Sequence, residues 1–161
     1  MKTEAEAGRA VDLYADTVRR ICFLHLKNYS DAEDVFQDVF LKYILYDKPF
    51  ESGAHEKAWF IRVTVNACKD VLKSFFRRKV SSLDDANTEP FVIDEASGHI
   101  LDAVLKLPEK YKDVVYMHYY EGYSAVEIAK MLRKNENTIY TWLSRARKKL
   151  ETELGGDSLD E

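Results

Sequence analysis

The chain has 161 residues, 46% apolar and 12% aromatic, enough to close one ordinary hydrophobic core or two small ones. Disorder is excluded for most of the length, six Gly and three Pro speak against a loop-rich β-sandwich or a collagenous chain, and no apolar run approaches the ~20 residues of a membrane span. A formal net charge of −4 argues weakly against nucleic acid as a whole-chain number, but the distribution of charge argues the other way.

The first residues carry acids where a secretory signal would be apolar, and two Cys cannot frame a secreted mini-domain, so a cytoplasmic protein is expected. Val11, Tyr14, Val18, Ile21, Cys22 and His25 recur at helical spacing and predict a first helix. Val35, Phe36, Val39, Phe40 and Tyr43 predict a second, with Ser30 and Glu33 as a capping box at its start. Residues 60–65 alternate like a strand. The wider pattern overrides this, because Phe60, Val63, Ala67, Val71 and Phe75 share one helical face over four turns. Residues 80–98 lack periodicity, and six acids without a Lys or Arg fall between Val80 and Ala103, so a flexible acidic linker is expected between two helical domains.

Beyond the linker, Ile100, Leu101, Val104 and Leu105 predict a short helix stopped by Pro108. Glu109 to Tyr120 reads as another, closed by Gly122. Ser124 and Glu127 form a capping box for a helix to about Leu132, and Asn135 can cap a last one from Glu136 to about Leu154. An acidic tail, 155–161, follows. The expected fold class is all-α, as domains over 1–79 and 99–154, the second containing a helix-turn-helix.

Basic residues concentrate in two segments. Arg62 to Lys79 holds six Lys or Arg against Asp70 alone, and Arg133 to Lys149 holds six against Glu136 alone. At 100° per residue, Arg62, Asn66, Lys69, Lys73 and Arg77 gather on one helix face, with Phe60, Val63, Thr64, Ala67, Cys68, Val71 and Phe75 opposite. A basic stripe with an amide at its centre suits a nucleic-acid backbone and a base edge, and Trp59 at its border could cover an unstacked base. A solvated outer face would carry the same charges, so this segment alone leaves both readings open. On the last helix, Ile139, Leu143, Ala146 and Leu150 make the buried seam, and Asn137, Tyr140, Thr141, Ser144, Arg145 and Lys148 point outward, where a major groove could be read. Trp142 falls nearer the seam and is expected to pack. A plain helical hairpin has the same caps, as does a stand-alone DNA-binding regulator or a helical adaptor for a protein partner.

Asp31 to Phe40 (DAEDVFQDVF), Trp59 to Asn66 (WFIRVTVN) with Asp70, Leu107-Pro-Glu, Glu121-Gly-Tyr-Ser124, Glu127-Ile-Ala129, Thr138-Ile139 and Ser144-Arg-Ala-Arg147 follow one another along nearly the whole chain. In this order they resemble the bacterial RNA polymerase sigma factors of the sigma-70 family, extracytoplasmic function (ECF) group. The resemblance implies a transcription initiation factor, not an enzyme, that binds core RNA polymerase and recognises minus-ten and minus-thirty-five promoter elements. It implies polymerase contacts at Asp31, Glu33, Asp34, Gln37 and Asp38. It further implies minus-ten contacts at Trp59, Arg62, Asn66, Lys69, Lys73 and Arg77, with Asn66 at a flipped base, and a minus-thirty-five element read through the outward residues of the last helix. An anti-sigma partner is implied as well. The chain departs from the family pattern at Arg133, where Gly is frequent in a left-handed turn, and at Lys134, Tyr140, Trp142 and Lys73; Tyr140 in place of a basic residue implies a shifted minus-thirty-five preference. No cofactor, metal site or catalytic set is suggested, since Cys22, His25, His55, Cys68, His99 and His118 are scattered.

Overall fold

The computed structural model describes residues 1–79 and 98–155, with the side chains of 75–79 and 98 outside the description. The described residues are helical and fall into two compact units, divided between the third and fourth helices. The acidic stretch expected to link them lies outside the described residues.

The first unit is three mutually packed helices, α1 (Glu4–His25), α2 (Tyr29–Leu45) and α3 (Gly53–Lys79). Thr3 caps α1 by accepting the Glu6 N–H at 3.1 Å. The cap of α2 is Asn28 and not Ser30. Asn28 has extended backbone (φ −146°), its Oδ1 accepts the Asp31 N–H at 2.8 Å, and its Nδ2 donates to the Asp31 carboxylate at 3.0 Å, so the helix has begun before Ser30 is reached. Residues 60–65 are helical, as the longer apolar period required. Val18, Ile21, Val35, Val39, Tyr43, Phe60, Ile61 and Cys68 are essentially solvent-free, and the Tyr14 and Phe60 rings stack at 4.6 Å between α1 and α3. Thr64, buried among them, donates its hydroxyl to the Phe60 carbonyl at 2.6 Å, which removes the cost of a lone polar group there.

The second unit holds α4 (Gly98–Leu105), α5 (Glu109–Val115), α6 (Ala125–Leu132) and α7 (Glu136–Glu153). Ala103, Leu107, Tyr111, Val115, Ala146, Leu150 and Leu154 make its core cluster, with Val104 and Trp142 packed against it. The expected helix 109–120 changes character at Tyr116, where Tyr116–Tyr120 form a π-helical turn. The Glu121 and Tyr123 N–H groups close this wider turn on the carbonyls of Tyr116 and Met117, and Gly122 (φ +83°) supplies the left-handed residue. The Ser124–Glu127 capping box is complete in both directions, at 3.1 and 2.9 Å, and its hydrogen bonds with Ser124 hold the Glu127 carboxyl below its ordinary pKa.

Between α6 and α7 the chain turns at Arg133, the one non-glycine residue with positive φ among the described residues (φ 56°, ψ 49°). The Lys134 N–H then reaches the Ala129 carbonyl at 2.9 Å, closing α6. Ala129, Ile128 and Ile139 are buried where the two helices meet. A side chain in this backbone region costs about 1 kcal/mol relative to glycine, so Arg133→Gly is expected to stabilise the second unit by up to about that amount. Urea denaturation checks it; a loss of stability would show that the Arg133 side chain contributes more than its strain costs.

Candidate nucleic-acid interface

Helix α3 sorts its residues by solvent. Phe60, Ile61, Thr64, Val65, Ala67 and Cys68 are buried, Asn66 and Lys73 are exposed, and Arg62 and Lys69 are half-buried. Four of the expected stripe residues therefore share one face, with the amide at its middle. The side chain of Arg77 lies outside the described residues.

Trp59 differs from its expected place at the stripe's border, being only 6% exposed. Its angular position is as read, since seven residues bring a helix almost back to the same azimuth at Asn66. The cause is tertiary: residues 46–52, leaving α2, fold across this end of α3. The rings of Tyr46, Tyr43 and Phe50 meet Trp59 at 5.2, 5.9 and 6.0 Å. The indole is thus part of an aromatic cluster that ends where the polar stripe begins.

In α7, Ile139, Ala146 and Leu150 are buried and Leu143 is half-buried, while Asn137, Tyr140, Thr141, Ser144, Arg145 and Lys148 are all exposed, Tyr140 to 55%. Trp142 is half-buried against the core cluster, with the Lys110 ammonium 5.5 Å from its ring, so it packs as its position predicts. Beside the outward face runs a groove of about 570 Å³, walled by Tyr140, Ser144 and Arg147 on α7 and by His118, Tyr119 and Ser124 opposite. Arg147 donates to the Tyr119 hydroxyl from Nη2 at 2.8 Å and Nε at 3.3 Å. Neither residue was among those expected at the interface, because their pairing spans 28 positions and depends on the π-helical turn.

On α2, Glu33, Asp34, Gln37 and Asp38 are exposed opposite buried Ala32, Val35, Val39 and Phe40. Asp31 is half-buried in the helix cap, and Asp38 pairs with Lys42 at 2.9 Å. These surfaces define a class: a helical protein with an acidic helix face, a basic helix face and a helix-turn-helix presenting polar and basic side chains outward.

Residues 10–79 match sigma-70 region 2, and residues 98–150 match sigma-70 region 4. The ECF RNA polymerase sigma factor SigW of Bacillus subtilis is 27% identical, over 89% of this chain and 86% of its own. BldN, an ECF sigma factor of Streptomyces coelicolor, is 32% identical over 96% of this chain, which spans 63% of that longer protein. The sigma factor RpoE of Bartonella quintana, solved in complex with the anti-sigma factor NepR, has the same fold, with TM-score 0.73 at 20% identity over 93% of this chain and 97% of that one. The chain belongs to the sigma-70 family of RNA polymerase sigma factors, in its ECF group. It is a promoter-specific transcription initiation factor that works with core RNA polymerase, and it is not an enzyme. No helix among the described residues is long and apolar enough to cross a membrane.

Proposed function

We propose that the three surfaces divide the work of initiation. The acidic face of α2 (Asp31, Glu33, Asp34, Gln37, Asp38) docks on a basic surface of core polymerase. The stripe on α3 (Arg62, Asn66, Lys69, Lys73, Arg77) takes the melted strand of the minus-ten element. The outward residues of α7 read the minus-thirty-five element in the major groove. Residues 1–79 and 99–154 are then the two working domains, and the acidic segment 80–98 connects them. Trp59 borders the strand site at one end, its ring held in the cluster with Tyr46 and Phe50. The setting is cytoplasmic, and an anti-sigma protein, such as the one bound to the RpoE relative, holds the factor inactive.

The observation that carries this reading is the partition of α3, where an exposed amide sits amid cations on the face opposite buried Phe60, Thr64, Ala67 and Cys68. The two kinds of side chain have different duties. Asn66→Ala is expected to relax preference at one minus-ten position by about 1–3 kcal/mol and to slow opening of duplex promoters. Lys69→Ala, a phosphate contact, weakens all promoters alike and lowers the salt dependence. Run-off transcription with core polymerase on a set of minus-ten variants at two salt concentrations separates them. Equal losses on every promoter would remove Asn66 as a base reader.

A further inference from the structure

Lys2 makes more contacts than a residue ahead of the first helix needs. Its backbone N–H donates to the Ile44 carbonyl at 2.9 Å, and its ammonium donates to the carbonyls of Tyr43, at 2.9 Å, and Tyr46. These carbonyls lie at the last turn of α2 and its cap residue, where the Tyr43 carbonyl also accepts the Tyr46 N–H at 3.1 Å and a cation complements the negative end of the helix dipole. The same ammonium lies 4.2 Å from the centre of the Tyr43 ring, 5.6 Å from Tyr46 and 5.8 Å from Phe50, an aromatic cage of the kind that binds ammonium groups. Lys2 therefore meets the segment that leaves α2 at two points, the backbone at Tyr46 and the ring at Phe50.

That segment is also what covers Trp59. Tyr43, Tyr46 and Phe50 cage Lys2 on one side and meet the indole on the other. Trp59 shares its azimuth with Asn66 two turns on, about 10 Å along the helix, with Arg62 between them. The edge of that face thus borders a loop held at its far end by Glu51 and Ser52 with His55, and met at its start by one charged side chain more than forty residues away in sequence.

We propose that Lys2 is a positioning residue for promoter-strand binding, fixing the loop 46–52 against Trp59 so that the face bearing Arg62 and Asn66 keeps its border. The inference rests on the reading of α3 as the strand site. Lys2→Met keeps the aliphatic stem and removes the charge and the donors, whereas Lys2→Arg keeps a cation that can donate to the same carbonyls.

The test uses holoenzyme assembled from core polymerase and the full chain. The probe is a fluorescein-labelled single-stranded oligonucleotide carrying the non-template minus-ten sequence of a promoter this chain transcribes. Hydrogen exchange of residues 46–52 and the affinity for core polymerase are measured alongside. Lys2→Met is expected to weaken oligonucleotide binding three- to tenfold and to speed exchange in the loop, with core affinity unchanged. Lys2→Arg is expected to restore most of the binding. Faster loop exchange with unchanged oligonucleotide affinity would reduce Lys2 to a fold-stabilising residue and overturn the proposal, as would failure of arginine to rescue. Asn66→Ala keeps the two levels apart. If it weakens binding and Lys2→Met does not, the positioning role alone falls; if neither has an effect, the α3 reading falls and takes the inference with it.

Discussion

Replacing Glu56 is expected to destabilise the first unit by about 2–4 kcal/mol as Glu56→Leu and by less as Glu56→Gln. Glu56 is only 5% exposed, yet every partner it needs is present. It accepts the hydroxyls of Tyr14 and Tyr43, each at 2.9 Å, and Arg9 Nη2 reaches both of its oxygens at 3.0 and 2.9 Å. These bonds tie α1, α2 and α3 together at one level. Leucine would leave the buried Tyr43 phenol without its acceptor and Tyr14 with only the long 3.5 Å bond to the Gly53 carbonyl, while glutamine keeps one carbonyl for them. Breaking a fully buried pair costs more, but the Arg9 side chain is half exposed and can turn to water, which places the expectation below the upper end for buried charges.

The same network sets the pH dependence. Burial pushes the Glu56 carboxyl up, but the hydrogen bonds from Tyr14, Tyr43 and Arg9, with the Arg9 charge, outweigh it and hold the group below the usual carboxylate range. Its contribution is present above the ordinary carboxylate pKa of about 4.3 and is lost as pH falls through the lowered native value. Tyr14 behaves in the opposite sense: burial first, then the Glu56 hydrogen bond and charge, push it up to about 12. Its contribution is complete below the ordinary phenol pKa of about 10 and declines as pH rises toward the native value. Stability of the first unit should therefore be flat across neutral pH and fall on both sides, with the acid limb flattened in Glu56→Gln. Urea denaturation followed by Trp59 fluorescence, in a Trp142→Phe background, measures this; a glutamine variant within about 0.5 kcal/mol of wild type would mean the network is not coupled as drawn.

Much of this architecture could be read from local pattern, because most of it is local physics. The apolar period of α3 repeats along a single helix face, and the Ser124–Glu127 box follows from residues within one helical turn of each other, whereas the left-handed backbone at Arg133 was implied only by the family resemblance. The start of α2 could not be settled that way, since Asn28 with Asp31 and Ser30 with Glu33 both fit a cap, and only the extended backbone at Asn28 decides between them. The π-helical turn leaves no periodic trace at all. What the sequence concealed is mostly long-range. The azimuth of Trp59 was correct and its exposure was not, because the covering loop comes from the end of another helix. Arg9 with Glu56 and Lys2 with Tyr46 are separated by 47 and 44 positions, beyond the reach of any spacing rule. The exposed residues of α7 were foreseeable because a buried seam at i, i+4 and i+7 leaves its complement outside.

Reversing Asp34 and Asp38 together to lysine is expected to lower affinity for core polymerase by roughly a hundredfold, about 3 kcal/mol, if the acidic face of α2 meets a basic surface. The two carboxylates sit one turn apart on the exposed side of the helix, away from buried Val35, Val39 and Phe40, so the core does not feel the change. The Asn28–Asp31 cap is also untouched. The cost within the helix is the Asp38–Lys42 pair at 2.9 Å, worth about 0.3–0.5 kcal/mol where both partners are half exposed, and a new repulsion of similar size. Nearly all of a hundredfold loss would then arise at the interface. Its origin predicts its form: charges at a solvent-exposed contact act mainly on the association rate, and the difference between variant and wild type should shrink as salt rises and the screening length shortens toward contact distances. Association and dissociation rates with immobilised core polymerase at two salt concentrations, alongside circular dichroism of the free chain, distinguish this from misfolding. Unchanged affinity with retained helicity would place the polymerase contact elsewhere on the first unit. A loss confined to the dissociation rate and insensitive to salt would mean that α2 docks through its apolar edge, where Leu41 and Leu45 stand exposed one turn apart, and not through its acids.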